Sequence, residues 1–517
     1  MGESKALRGV HPQGELERRG ESEPVATVET FAGKVGLRWD EEAGVTAFGQ
    51  LPYFVEFLKT SGLFEAWVQD CPLSYSSPNA PSKREVLATL LLSVLAGQRR
   101  YAHIDALRAD TLAPALLGVN KLVSEDSARR AFQSVDEDAC QQWLDGHLKR
   151  SYEELLEEDW ILDVDATVKP LYGSQQGALL GYNPAKPGRP SHVYHSYMAA
   201  NIRLLLGVEV QQGNQTAPSY AQPRLWRFLD ELEPECRPKL LRGDAHWGSE
   251  HAMLGAEQRG VDYLFRLRQT VGVKRLITRL FASDDWAAAG QGWQGVRSRL
   301  RLQGWSRSRE VIVLRRQLRD SLALDQSVGS QPRQLSLGLA EVVQDGVLYE
   351  YVVLATSLDE ELEATAQLYR DRGDAENNFD KLKNQWGWTG YTTRDLKRSR
   401  VMAGVIALVY NWWGLFTRLA AGAKGEAITT RPLLLHGIAR RTRHSRQTTL
   451  TITSSHAKAK QVRRALEAAS GFLKRVAATA EQLGSISRWR LILSWIFRDF
   501  LDGRVVGTQL RLVDCLA

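Results

Sequence analysis

Between Trp160 and Leu267 short apolar, β-branched runs alternate with amphipathic stretches. A chain with that rhythm buries its faces by building a mixed sheet with helices packed on it. Trp160–Val168, Val193–Met198 and Arg203–Val210 read as strands, Pro223–Leu232 as a helix, Lys239–Asp244 as a strand, Glu250–Gly260 as a helix and Val261–Leu267 as a strand. Val347–Leu358 resumes the sheet and leads into one long helix over Glu361–Trp386. The expected class is therefore α/β. From about 270 to 345 the rhythm stops, and Arg- and Trp-bearing stretches followed by the turn-rich Ser327–Gln334 read as an all-β insertion.

On either side of this region the pattern is helical. Leu51, Phe54, Phe57 and Leu58 form one apolar face and Val86, Leu87, Leu90, Leu91 and Leu95 another, with Ser82 placed to cap the second helix. Ser124 caps a further short helix that carries Arg129 and Arg130, either a helix for a DNA groove or a plain solvated one. At 517 residues the chain is long enough for two to four domains. Our expected division is a flexible tail over 1–30, a helical DNA-binding domain over 31–155, a catalytic core over 156–268 and 346–415, a β-rich insertion over 269–345, and a helical region over 416–517 for DNA contact or dimerisation.

Composition excludes several classes. With 43% hydrophobic and 25% charged residues this is a globular chain, not a disordered one. No apolar run reaches the roughly 20 residues of a membrane helix, and the nearest, Val401–Phe416, contains Asn411. The first 25 positions lack a signal-like apolar core, so a cytoplasmic, nucleoid-associated protein is expected. Cys71, Cys140, Cys236 and Cys515 show neither zinc spacing nor a disulfide framework. A net charge of +7 suits a polyanionic partner, although the excess is thinly spread.

The chemistry is carried by acids at strand ends and by one helix face. Asp165 and Asp244 each close an apolar strand, at the sheet edge where reactive groups collect. Tyr369, Arg372, Glu376 and Lys383, read on one helix, fall within a sector of about 60°. Three converging carboxylates repel one another in a low dielectric unless they take up protons or a cation. Hard oxygen donors without nearby His or Cys favour Mg²⁺ or Mn²⁺, and two such ions about 4 Å apart suit in-line phosphoryl displacement. Asp163 shares the strand face of Asp165 and is the alternative ligand.

Tyr369-Arg370-Asp371-Arg372-Gly373-Asp374-Ala375-Glu376, continuing to Lys383, resembles the Y-R-E-K signature of bacterial insertion-sequence transposases of the D-D-E superfamily. Asp165-Ala166-Thr167 is similar to their first aspartate motif, Leu171–Gly177 to the H-G-x-Q-E-G stretch after it, and Leu241-Arg242-Gly243-Asp244 to the second aspartate strand. Ala245-His246-Trp247-Gly248 departs from the usual Ser-Gly-Phe. The resemblance covers roughly 160 to 415. It implies a ribonuclease-H-like core in which Asp165, Asp244 and Glu376 hold two Mg²⁺ (or Mn²⁺) ions, while Tyr369, Arg372 and Lys383 hold the DNA backbone.

It further implies a DNA transposase that binds terminal inverted repeats and target DNA. Water attacks first, and the released 3′-hydroxyl attacks next, on the opposite strand or on target DNA. Such enzymes generally act as homodimers in a synaptic complex. The alternatives are a metal-dependent nuclease without strand transfer and a transposase-derived regulator without catalysis.

Further candidates for DNA contact are Lys186 and Arg189 in the Gly/Pro loop, Trp293 with Trp286 and Trp305, the alternating row Arg297, Arg299 and Arg301, and the cluster Arg440, Arg441, Arg443 and Arg446. The competing readings are a turn for the loop, a small core for the tryptophans and a solvated face for the arginine row.

Overall fold

The computed structural model describes residues 26–40, 43–184, 186–281, 283–318, 340–344, 347–444, 447–453, 456–479 and 485–513. Two compact units divide the chain at Gly44. The first contains a hairpin, β1 (Ala26–Thr30) antiparallel to β2 (Gly33–Leu37), with Gly33 at φ +96° where a side chain would be strained. The expected tail over 1–30 thus already contains a strand by Ala26.

The second unit begins with β3 (Val45–Thr46) and the helices α1 (Leu51–Ser61), α2 (Leu63–Gln69), α3 (Lys83–Leu95), α4 (Ile104–Leu107), α5 (Leu112–Leu116), α6 (Glu125–Arg130) and α7 (Glu137–Lys149). The Ser82 cap forms as a full capping box with Glu85, and Ser124 caps α6. Helix α6 is only six residues long. Its Arg129 and Arg130, both exposed, pair with Asp126 one turn away.

Strands β4 (Ile161–Pro170), β5 (Ser191–Ala199) and β6 (Leu204–Gln212) form an antiparallel meander. After α8 (Gln222–Asp230), β7 (Leu240–Gly243) returns parallel to β4; after α9 (Glu250–Glu257), β8 (Asp262–Arg266) lies parallel to β7. The spatial order β6-β5-β4-β7-β8 is that of a ribonuclease-H-like core, as the fold class expected.

The segment read as an all-β insertion opens instead with helix α10 (Val271–Phe281), whose Val273, Leu276 and Ile277 are buried. Its strands β9 (Ala287–Ala288), β10 (Gln294–Leu300), β11 (Arg309–Gln317) and β12 (Ala340–Gln344) do not fold apart. Together with β13 (Val347–Thr356) they extend the core sheet beyond β8 to ten strands, because β13 pairs with β8 through Leu354–Thr356 and with β11 along its length. Ser327–Gln334 lies outside the described residues.

Next come α11 (Leu362–Arg370), α12 (Gly373–Asn384) and the 26-residue α13 (Leu396–Ala421). Asn411, the polar interruption in the most apolar run, is fully buried on α13, and its amide both accepts from the N–H and donates to the C=O of Leu205 on edge strand β6. Among the described residues no helix is long and apolar enough to cross a membrane.

The C-terminal region contains α14 (Ala427–Leu434), α15 (Ala459–Thr479) and α16 (Ser485–Ile496), but its basic cluster is not helical. It lies on a ribbon of β14 (Ile438–His444) and β15 (Gln447–Thr453), joined to β3. The alternation in Gln447-Thr-Thr-Leu-Thr-Ile-Thr453 has period two, which β-branched residues favour in strands.

Candidate active site

Strands β4 and β7 run parallel with a constant offset, Ile161 facing Leu240 and Val164 facing Gly243. Continuing that register by one residue sets Asp165 level with Asp244, on neighbouring strands about 4.8 Å apart. Side chains alternate along a strand, so Asp163 and Asp165 share a face, as do Arg242 and Asp244. The ion pair between Asp163 and Arg242 shows that these two faces are the same one. β8 adds a third member to the row: Gly243 faces Phe265, which sets Arg266 beside Asp244. α11 covers this face, where Leu362 and Leu368 pack against Leu240, Leu264 and Leu354.

The two aspartates of β4 have different fates. Arg242 donates from Nε and Nη2 to the two oxygens of Asp163, at 2.7 and 2.8 Å, and also bonds the carbonyl of Leu368 on α11. Asp163 is thereby committed to a structural pair that ties β4, β7 and α11 together. Its side chain is 1% exposed, against 19% for Asp165 and 33% for Asp244. Only the latter two present carboxylate surface to a ligand.

Arg372 meets Asp165 from the helix side. Its guanidinium is buried, 3.5 Å from Asp165 Oδ1, and reaches the carbonyl of Val164 at 3.4 Å. Burial works against the charge, but Asp165, Tyr369, Asp244 and Asp163 outweigh it and hold the group firmly protonated. Asp244 is also depressed: burial raises it, and His246 and Arg372 more than compensate. His246 bonds Asp244 twice, by its backbone N–H at 2.9 Å and through Nδ1 at 2.8 Å. Trp247 anchors the loop by packing against Gly243, and Gly248 lies so close to the Arg266 carbonyl that a Cβ there would come within 2.3 Å.

The single long helix expected over Glu361–Trp386 is two. α11 ends at Arg370, and Arg372 caps α12 after a tighter turn in which its N–H bonds Tyr369. Gly373, a poor helix former, follows at the break. The stripe of Tyr369, Arg372, Glu376 and Lys383 therefore bends at Arg372. Tyr369 is half-buried beside the α11 core, and Glu376 and Lys383 lie two turns apart on α12. The side chain of Glu376 is outside the described residues, and among those described no three His, Cys, Asp or Glu gather as a metal site.

The Gly/Pro loop flanks this edge. Lys186 hydrogen-bonds the exposed Tyr172 hydroxyl, lowering that phenol, and the Arg189 guanidinium stands 4.8 Å from its ring centre. From the same loop Tyr182 lies 5.6 Å, ring to ring, from His246.

The insertion residues sit elsewhere. Trp305 is buried, Trp286 donates to Leu280 O beneath Arg315, and Trp293 packs in the α11 core under Arg316. Trp305 is thus enclosed, while Trp286 and Trp293 are half-buried. Arg297 pairs with Glu310 and Glu360 O, while Arg299 and Arg301 are exposed. Arg440 and Arg443 are exposed on the β14–β15 ribbon, Arg441 is half-buried, and Arg446 lies outside the described residues. Sequence reasoning passed over His246, Arg266 and the role of Arg242; the equal spacing of Asp163–Arg242 and Asp165–Asp244 was the available signal.

Compared with known proteins, residues 76–471 match the family described as Transposase DDE domain group 1. No curated protein matches the chain. Among solved structures it is similar to the cryo-EM structure of a piggyBac transposase synaptic complex with hairpin DNA, at 11% identity and a TM-score of 0.36, over 91% of this chain and 88% of that one.

Proposed function

The chain belongs to the Transposase DDE domain group 1 family, and on that footing we propose that it binds the ends of a mobile DNA element and cuts and joins them at Asp165, Asp244 and Glu376. The observation that carries this reading is the level placement of Asp165 and Asp244 on one sheet face, with the buried Arg372 beside Asp165.

The donor set suits hard divalent cations: Asp165 and Asp244 are partly exposed carboxylates on one face, and His246 and Arg372 hold Asp244 ionised. Asp165, Asp244 and Glu376 would hold Mg²⁺ or Mn²⁺, which supplies Lewis-acid activation of the attacking and leaving oxygens. The other residues position DNA. Arg372 sets a fixed positive charge beside Asp165 and helps hold Asp244 ionised. Lys383 and the Lys186–Arg189 loop offer cations to phosphates on either side of the acid edge, and the Tyr369 hydroxyl offers a hydrogen bond.

In the first transfer a water oxygen bonds to phosphorus and the 3′-oxygen leaves as a hydroxyl. In the second that 3′-oxygen attacks another phosphodiester, whose own 3′-oxygen departs. Partners on this reading are the terminal inverted repeats, target DNA and a second subunit.

The test uses a plasmid carrying the gene with its native flanking DNA. The Glu376→Gln protein should bind the flanks as wild type does and lose Mg²⁺-dependent cleavage. Unchanged cleavage would remove Glu376 from the site, and wild-type cleavage without joined products would reduce the function to a nuclease.

A further inference from the structure

Between Glu426 and Glu467 the chain contains no acidic residue, yet it carries Arg440, Arg441, Arg443 and Arg446 within seven positions. The β14–β15 ribbon is built from this stretch. Its root is fixed: Gly49 N–H donates to Gly437 O at 2.7 Å, Gly437 N–H to Ala47 O at 3.0 Å, the Gln50 amide to His436 O, and Ala439 is buried against Gly49. Beyond the root the described residues are exposed apart from the half-buried Arg441, Leu450 and Ile452.

The register assigns side chains to two faces. Arg440 faces Thr451, Thr442 faces Thr449 and His444 faces Gln447; the reverse face has Ala439 with Ile452, Arg441 with Leu450 and Arg443 with Thr448. One face is thus a row of hydrogen-bonding groups headed by an arginine, and the other is an apolar root edged by two arginines. Among the described residues no ion pair satisfies Arg440, Arg441 or Arg443.

We propose that this ribbon enters the major groove of DNA, its Arg440–Thr442–His444 face reading base edges while Arg441 and Arg443 meet the flanking phosphates. The inference rests on the DNA-binding part of the function above and adds where sequence is read. Two strands about 4.8 Å apart, with side chains, fit a groove about 12 Å wide, and seven residues span about 23 Å along it. Arginine pairs with guanine O6 and N7, and Thr and Gln offer donors and acceptors to neighbouring bases. A second copy pairing along the β15 edge would bring two cationic ribbons together, which charge disfavours.

Full-length protein is used to select binding sites from a pool of randomised duplexes. Wild type should enrich one motif containing guanine. Arg440→Ala should lose preference at one base pair and bind the motif about ten- to a hundredfold more weakly. Arg443→Ala should weaken selected and random duplexes alike and lower the salt slope by about one. Replacing the motif's guanines with 7-deazaguanine should weaken wild type but not the Arg440 variant. Both side chains are exposed, so melting temperatures should be unchanged.

The ribbon assignment falls if wild type enriches no motif, if Arg440→Ala selects the same motif with equal affinity, if 7-deazaguanine has no effect, or if the variants change only the oligomeric state. These failures are separate from that of the catalytic reading. Should Glu376→Gln abolish cleavage while Arg440→Ala leaves selection intact, the active site stands and the ribbon inference does not. Should Arg440→Ala lose selection while Glu376→Gln still cleaves, the ribbon stands and Glu376 leaves the active site.

Discussion

Two buried charges on β4 set opposite terms for stability. Asp163 and Arg242 satisfy each other with two hydrogen bonds inside the sheet. Removing one partner strands the other, so Arg242→Met should cost about 3–5 kcal/mol, read from the urea midpoint, while the double change Asp163→Leu with Arg242→Met should cost far less. Among the described residues Lys169 has no carboxylate partner; it donates to Gly390 O, and burial lowers its amine to about 8 from an ordinary 10.5. Between those values the unfolded chain holds a proton that the folded chain has released, so stability rises with pH through that window. Lys169→Met should accordingly be more stable than wild type by about 2 kcal/mol at pH 7, once the lost hydrogen bond is counted, and the advantage should shrink from pH 8 to 10.5 in pH-resolved denaturation. At this scale Asp244 follows the end of its strand as expected, whereas Asp165, expected to close a strand, lies in the middle of β4, which pairs with β5 as far as Pro170. Asp165 was set apart from Asp163 by the Ala166-Thr167 that follows it, and the pairing of Asp163 with Arg242 on another strand was not legible.

Individual elements follow local chemistry where a cap or a period is strong. The Ser82–Glu85 box starts α3 where the sequence places it, and Ser82→Ala should lower stability by about 1 kcal/mol in thermal unfolding. Asn411 shows how one element completes another: α13 supplies the hydrogen bonds that edge strand β6 lacks at Leu205. Asn411→Leu keeps the volume but orphans a buried N–H and C=O, and a loss of about 2 kcal/mol or more in the same assay is expected. Elements were misread where the signal was weak or mixed. Arginines tolerate either face of a strand or helix, so Ile438–His444 carries no clear period and only its partner β15 fixes it as a ribbon. The long helix over Glu361–Trp386 broke at Arg372, whose guanidinium is drawn to Asp165 while Gly373 offers little resistance to the turn.

Across the whole second unit, the helices before and after the sheet form one core. Phe54 meets Trp413 and Phe416 at 5.4 and 5.3 Å, Phe57 meets Trp489 at 6.5 Å, and Trp67 meets Trp412 at 5.6 Å. Residues 45–155 expressed alone would expose those rings, and we expect no sharp thermal transition and poorly dispersed amide resonances from that fragment. Replacing Phe54 with Ala in the full chain should cost about 3–5 kcal/mol, because the ring lies at the junction of both helical regions. Periodicity, caps and the acid that follows β7 were written in the sequence, since each depends on residues within a few positions of one another. The pairing of β13 with β8, the interleaving of the terminal helices around α13, the ribbon and the pairing of Asp163 with Arg242 were decided by tertiary structure. Each of those depends on which distant surface comes to lie opposite, and burial energy settles that only when the chain is packed.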